Sequence, residues 1–189
     1  KGAVEAGNKV EKVFVADKKI APCRACYYCR SHKGACSIKD DMAELLQKMI
    51  DADVIVLSSP VYFYSISAQL KAVIDRTVAR WLEVKDKEFY YIMTSAEDSD
   101  SVMDTTLACF RGYADCVEGA AEKGVIYGKG VKSVVRFSTN LQCKRLTKWV
   151  NPYAEKTELT LYYNGNADFG IAIFPPHSPL LLNNSTPKV

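Results

Sequence analysis

Val54-Ile55-Val56-Leu57, followed by Ser58-Ser59-Pro60-Val61-Tyr62-Phe63-Tyr64-Ser65 and an amphipathic stretch from Ser67 to Leu82, decides the fold. A short apolar run placed after a helix reads as a strand buried on both faces, the pattern of a parallel sheet. Upstream, Met42, Leu45, Leu46, Met49 and Ile50 recur at helical spacing. Asp40 or Asp41 can cap that helix, and Glu44, three residues after Asp41, predicts a capping box. Downstream, Leu70, Val73, Ile74, Thr77 and Trp81 form the inner face of a helix over Ser67–Leu82. Strands are expected over Phe89–Thr94 and Val125–Val131. Between them lies a helix over Asp100–Val117 with Val102, Met103, Leu107, Phe110, Tyr113 and Val117 apolar. With Val10–Val15 as a first strand, strand and helix alternate from residue 10 to residue 131, so the class is α/β with an open parallel sheet.

The chain has 189 residues, 48% hydrophobic and 25% charged, enough for one α/β domain with a core of its own. A net charge of +3 without a concentrated basic face argues against a nucleic-acid binder. No apolar run reaches the roughly 18 residues of a membrane span. The polar first residues do not read as a signal peptide, and a cytoplasmic location is expected. The sequence begins with Lys1, and Ala3-Val4-Glu5-Ala6 before Gly7-Asn8 reads as the end of a helix. A fragment, a processed chain or a trimmed one is therefore expected. After Val131 the character changes. Lys132–Trp149 is basic and mixed, Glu158–Tyr163 is a candidate strand before a turn at Asn164-Gly165-Asn166, and Phe174–Val189 carries four prolines. The expected organisation is a domain over residues 1–131 and an atypical segment over residues 132–189, its end poorly ordered.

Ligands of open parallel sheets bind at the carboxyl ends of the strands, where Ser58–Ser65 falls. Aromatics exposed there can cover a flat ring while hydroxyls and N–H groups bond its polar edge. Equally, the three aromatics can be core residues under a turn. Of seven cysteines, Cys23, Cys26 and Cys29 are separated by two residues each, and Cys36 follows after six more. Such crowding suggests metal or redox chemistry before a disulfide framework. Thiolate runs of this kind suit an iron–sulfur cluster, whereas a structural zinc site more often uses two separated pairs. Without metal, the thiols would be packing or redox-sensitive groups. Cys109 and Cys116 read as helix core positions and Cys143 as isolated. Lys71, Asp75 and Arg76 read as structural or as a dimer contact, and His32 and His177 receive no role.

Ser59-Pro60-Val61-Tyr62-Phe63, Ser67-Ala68-Gln69-Leu70-Lys71 and Ile74-Asp75-Arg76 together resemble the NAD(P)H-dependent FMN reductase and iron-sulfur flavoprotein family of flavodoxin-like proteins. So do Cys36-Ser37-Ile38-Lys39-Asp40-Asp41-Met42 and Phe110-Arg111-Gly112-Tyr113-Ala114-Asp115-Cys116, and the resemblance covers residues 1 to about 131. It implies a three-layer αβα fold with helices on both faces of the sheet. It implies FMN, with Ser59, Pro60, Val61, Tyr62, Phe63 and Ser65 against the ring and ribityl chain. Thr94, Ser95, Ala96 and Glu97 would approach the pyrimidine end, where backbone N–H groups could stabilise the charge of reduced flavin. It implies a 4Fe-4S cluster on Cys23, Cys26, Cys29 and Cys36, with Arg24, Arg30 and Lys33 favouring the reduced form. No side chain need act as acid or base, because the flavin carries the redox chemistry. NAD(P)H is the implied donor, a small molecule or a protein the acceptor, and a homodimer or higher homo-oligomer the implied assembly.

Family members begin with a strand and a Ser/Gly/Asn/Thr-rich loop that cradles the FMN phosphate, and neither is found in this sequence, nor is the usual final helix. The strand concerned is the central one of a 2-1-3-4-5 sheet. Without it, Val10–Val15 and Val54–Leu57 lack a partner between them, which would be strongly destabilising. The tail could supply the strand, with Glu158–Tyr163 as the candidate. The expected function is an FMN-dependent NAD(P)H:acceptor oxidoreductase relaying electrons through the cluster. The alternatives are an electron-transfer flavoprotein without a small-molecule substrate and an inactive remnant that binds no flavin.

Overall fold

The Val54–Leu57 run is a strand and does not stop at Leu57. In the computed structural model, which describes residues 2–5, 7–131 and 170–174, it continues through Ser58, Ser59 and Pro60. The loop expected from Ser58 therefore starts only at Val61. The strands are β1 (Glu11–Phe14), β2 (Val54–Pro60), β3 (Glu88–Thr94), β4 (Ala121–Gly128) and β5 (Gly170–Phe174). The helices are α1 (Gly2–Glu5), α2 (Tyr28–Ser31), α3 (Met42–Asp51), α4 (Ala68–Arg76) and α5 (Asp104–Ala114).

The sheet order is β1-β5-β2-β3-β4. β2, β3 and β4 pair in parallel, joined by helical crossovers, as the alternation of apolar patterns requires. β5 lies antiparallel to both β1 and β2 and fills the gap between them. The tail thus supplies the strand whose absence was anticipated, but from Gly170–Phe174. Glu158–Tyr163 lies outside the described residues, as do Lys132–Trp149, Cys143 and His177. Gly170-Ile171-Ala172-Ile173-Phe174 is an apolar run with proline after it, a buried-strand pattern in its own right.

Register ties the five strands into one core. Val13, Ile171, Leu57, Tyr91 and Val125 stand opposite one another in successive strands. Val13, Ile171, Leu57 and Tyr91 in that row are buried. On the same face Tyr91 stacks on Phe110 of α5, ring centroids 5.1 Å apart, and Phe89 meets Tyr113 edge-on at 5.9 Å. Burial alternates along β2 and β3, whereas the sequence pattern predicts burial on both faces. Ile55, Leu57, Phe89, Tyr91 and Met93 are fully buried, while Val54, Val56, Tyr90 and Ile92 are half-buried among the described residues. Each of the fully buried apolar side chains contributes about 1.5–3 kcal/mol relative to exposure.

The helix ends show where local signals hold and where tertiary contacts override them. α1 closes at Gly7 as expected: the Gly7 N–H donates to the Val4 carbonyl and the Asn8 N–H to that of Ala3. The capping box at α3 does not form. Asp41 flanks the helix without a side-chain cap, because its carboxylate accepts the Lys19 N–H instead at 2.7 Å, and Asp40 accepts the Met42 N–H. The Ser67 hydroxyl does cap α4, accepting the Leu70 N–H. α4 ends at Arg76, short of Leu82, and two 3-10 turns follow at Thr77–Ala79 and Trp81–Glu83. Trp81, expected on the inner face, is instead exposed. α5 is likewise shorter than the Asp100–Val117 span, and β4 begins four residues before Val125 and ends at Gly128. Among the described residues no helix is long and apolar enough to cross a membrane.

The place of β5 is open to a direct check. Ile171→Ala removes a fully buried side chain from the middle of the sheet and is expected to cost about 2–5 kcal/mol in urea unfolding. An unchanged midpoint would show that the tail strand is not part of the sheet.

Candidate functional site

At the carboxyl ends of β2 and β3 two loops lie side by side. The Val61 N–H donates to the Thr94 carbonyl at 2.8 Å, joining the first loop to the end of β3. Tyr62 and Ser65 exchange backbone hydrogen bonds at 2.9 and 3.0 Å, closing a tight turn over Phe63-Tyr64. Both central residues have positive φ, +49° at Phe63 and +62° at Tyr64. Two left-handed residues in succession make the turn that Asn-Gly usually supplies. Non-glycine residues there cost on the order of 1 kcal/mol each, and such strain gathers at functional sites. The turn displays Tyr62 and Tyr64 largely exposed and Phe63 fully exposed, so the alternative of core residues under a turn does not hold.

Ser59 and Pro60 sit differently from the exposed aromatics. Ser59 is fully buried; its hydroxyl donates to the Pro60 carbonyl at 2.8 Å and accepts the Ser67 N–H at 2.9 Å. Both capacities of that hydroxyl are spent on anchoring the start of α4 beneath the turn. Val61 packs on the core, and the Ser65 hydroxyl lies 3.8 Å from the Cys109 sulfur. In the second loop the Ser95 N–H donates to the Gly128 carbonyl at 2.8 Å, and the Ser95 hydroxyl accepts the Glu97 N–H at 3.1 Å. The Glu97 carbonyl accepts the Gly130 N–H. Of the N–H groups expected at this rim, that of Ser95 is bonded to the end of β4 and that of Glu97 within the loop, while that of Ala96 has no partner among the described residues. The residues entering β5 from this rim are outside those described. Exposed aromatic faces on one loop, and on the adjoining loop an N–H without a partner among the described residues, suit a flat heteroaromatic ring with a polar edge.

The second constellation is the cysteine loop between β1 and α3. Cys23, Cys26, Cys29 and Cys36 line one cavity of about 850 Å³ together with Arg24, Arg30, Lys33, Arg76, Arg80 and Trp81. All four are free thiols. Ala25, Tyr27 and Lys33 have positive φ although none is glycine, so the loop carries three left-handed non-glycine residues. Gly34, at φ +81°, is required on two counts: its backbone is left-handed, and a Cβ there would come within 2.5 Å of the Arg80 side chain. The Ser37 hydroxyl, with the Tyr28 N–H and Arg24 adding to it, holds the Cys26 thiol below its ordinary value. Arg30 lies over the Tyr27 ring at 4.6 Å, and His32 stacks on Tyr28 at 3.5 Å, a packing role. The donor set suits a soft metal centre, but the sulfurs stand apart. Among the described residues no three His, Cys, Asp or Glu side chains converge to hold a metal ion.

One ion pair fixes this loop to α4. Arg76 donates from Nη1 to Asp40 Oδ2 at 2.8 Å and from Nη2 to Asp40 Oδ1 at 3.0 Å, and Nη1 also reaches the Ala21 carbonyl at 2.7 Å. Asp40 in turn accepts the N–H groups of Ala21 and Met42 at 2.9 and 3.2 Å. The side chains are 2% and 9% exposed, so this is a buried, bidentate pair. Burial disfavours the Asp40 charge, but Arg76 and the two N–H groups outweigh it and hold the carboxyl below its ordinary value. Arg76, read from sequence as a structural or dimer-contact residue, is thus an internal bolt. Lys71 and Asp75 pair with each other on the exposed face.

A model of the NADPH-dependent FMN reductase family matches residues 1–107 of the chain. An iron-sulfur flavoprotein of Methanocaldococcus jannaschii is 48% identical over 73 residues, covering 39% of this chain and 37% of that protein. An iron-sulfur flavoprotein of Archaeoglobus fulgidus is 46% identical over 86 residues, covering 46% of this chain and 43% of that protein. The chain therefore spans less than half the length of these curated relatives. Among solved structures, the NAD(P)H:quinone oxidoreductase from Methanothermobacter marburgensis superposes with a TM-score of 0.57 at 14% identity, over 82% of this chain and 85% of that one. An FMN-dependent NADH-azoreductase from Bacillus anthracis, solved in complex with FMN, gives 0.54 at 14% identity, over 76% and 80%. These two likenesses bear on the fold, which is flavodoxin-like α/β.

The ion pair carries a pH signature. Because the Asp40 carboxyl is held below its free value of 3.8, its contribution is fully present above that pH and is lost as pH falls through the folded value. Asp40→Asn, which leaves the buried Arg76 charge unmatched, is expected to lower stability by about 3 kcal/mol at neutral pH. In urea unfolding the gap between parent and variant should narrow at about pH 3. A gap that is absent at neutral pH, or constant with pH, would contradict the assignment.

Proposed function

Because the chain belongs to the NADPH-dependent FMN reductase family, we propose that it is an FMN-dependent oxidoreductase that takes electrons from NAD(P)H and delivers them to an acceptor. The observation that carries this reading is the strained turn at the end of β2. It exposes Tyr62, Phe63 and Tyr64 at a backbone cost that packing does not explain. Bound FMN would supply the redox chemistry, accepting a hydride equivalent and returning electrons singly or in pairs. The protein's share is binding and orientation. Tyr62, Phe63 and Ser65 would flank the ring and ribityl chain, with Pro60 and Val61 forming the floor of the turn. The Ala96 N–H, between Ser95 and Glu97 and next to Thr94, would meet the pyrimidine edge where negative charge gathers on reduction. Ser59, with both bonding capacities committed to the backbone, supports the turn from below.

A second reading is favoured by the cysteine loop. The four thiols on one cavity, ringed by arginines and a lysine, suit a 4Fe-4S cluster that exchanges single electrons with the flavin. The relatives' description as iron-sulfur flavoproteins supports it. Cys23, Cys26, Cys29 and Cys36 would be its ligands once the loop draws their sulfurs together. In that role the chain would pass electrons to a protein acceptor, as a homodimer or larger homo-oligomer in the cytoplasm.

Replacing Phe63-Tyr64 by Asn-Gly separates function from stability. The pair suits the turn better, so the variant is expected to gain about 1 kcal/mol, read as a higher Tm. It is also expected to bind FMN at least about tenfold more weakly in a flavin-fluorescence titration, a loss of roughly 1.4 kcal/mol, with NAD(P)H oxidation falling in step. Unaltered FMN affinity in the stabilised variant would remove this turn from the flavin site.

A further inference from the structure

Arg76 has one polar group that the ion pair leaves over. Nη1 and Nη2 are committed to Asp40 and the Ala21 carbonyl, whereas the Nε–H is buried and has no hydrogen-bond partner among the described residues. Leaving a buried charged donor unmatched is costly, and such a group calls for a partner that the fold is built to receive. Arg76 and Cys36 both line the 850 Å³ cavity of the four thiols, and both line the adjoining cavity of about 730 Å³ that runs beside α3. The guanidinium plane is fixed by its end-on grip on Asp40, so the direction of the Nε–H is fixed with it.

We propose that Arg76 is the positioning residue for Cys36, its Nε–H donating to the Cys36 sulfur when that sulfur is a metal ligand. The inference rests on reading the four cysteines as a ligand set. An N–H donated to a ligating thiolate sets the direction of the sulfur and draws charge from it, which stabilises the bound and the reduced centre alike. It also gives the Asp40–Arg76 pair a purpose beyond fastening the loop, because the carboxylate orients the donor that orients the ligand.

The test uses the metal-free full chain, titrated without oxygen with cobalt(II), with thiolate ligation read from the sulfur-to-cobalt charge-transfer absorption. Arg76→Lys keeps a positive charge facing Asp40 but has no Nε–H. It is expected to bind cobalt about 10–100-fold more weakly and to lose one thiolate's share of the absorption. The same substitution in a Cys36→Ser background is expected to change nothing further, because the donor then has no sulfur to position. Should Arg76→Lys fail to fold, Asp40→Asn in the same two backgrounds repeats the test by loosening the guanidinium. An equal loss in both backgrounds would make Arg76 merely structural and overturn the inference, as would no loss in either. A parent chain that binds no cobalt through its thiols would overturn both the ligand-set reading and this inference, whereas parental binding with additive losses would overturn the inference alone.

Discussion

A sheet cannot carry a gap. β1 and β2 each present backbone donors and acceptors on the sides that face one another, and the core row from Val13 to Tyr91 is continuous only if something stands between them. β5 meets that requirement with five residues from near the far end of the chain, bonded to β1 on one side and β2 on the other. It runs antiparallel to both, which pairs its N–H and C=O groups as well as a parallel strand would. Ile171 then completes the apolar row, fully buried between Val13 and Leu57. With that strand in place the carboxyl ends of β2 and β3 are held level. Pro60 stands opposite Thr94, and Thr94 opposite Gly128, so the two loops of the candidate flavin site lie next to each other.

From the same rim, α4 carries order to the cysteine loop. Its first turn is anchored by Ser59 and Ser67 beneath the aromatic turn, and its last residue, Arg76, holds Asp40 and Ala21 on either side of the cysteines. The helix is thus a strut with buried polar contacts at both ends. A buried ion pair of this kind adds little net stability over an apolar pair of the same shape. What it supplies is a unique position for a loop whose regular structure is a 3-10 turn at Val15–Asp17 and the short helix α2, with several left-handed residues.

The parts legible in the sequence were those set by local pattern. The apolar runs of β2 and β3, the stripe on α3, the start of α4 near Ser67 and the Gly7-Asn8 stop all emerge at or near their expected positions. The parts that were not legible depend on distant partners. Asp40 and Arg76 are 36 residues apart, and nothing in either neighbourhood announces the pairing. The capping box at Asp41 and Glu44 was a sound local signal that lost to a better acceptor role, since the Lys19 N–H needed a partner. Ser59 is a flavin contact only by family resemblance, and its burial gives its hydroxyl to the backbone. The short run Ile171–Phe174 has a strand's composition, but it stands among polar and proline-rich sequence, and only its pairing with β1 and β2 sets it apart from Glu158–Tyr163.

The most direct test of the account is the ultraviolet-visible spectrum of the full chain purified without oxygen and supplied with FMN and iron, followed by quantification of both. Flavin bands at about one FMN per chain, bleached by NAD(P)H, are the result expected of a flavin oxidoreductase, and a broad sulfur-to-iron absorption would add the cluster. A folded chain that stays colourless and retains neither FMN nor iron would contradict it.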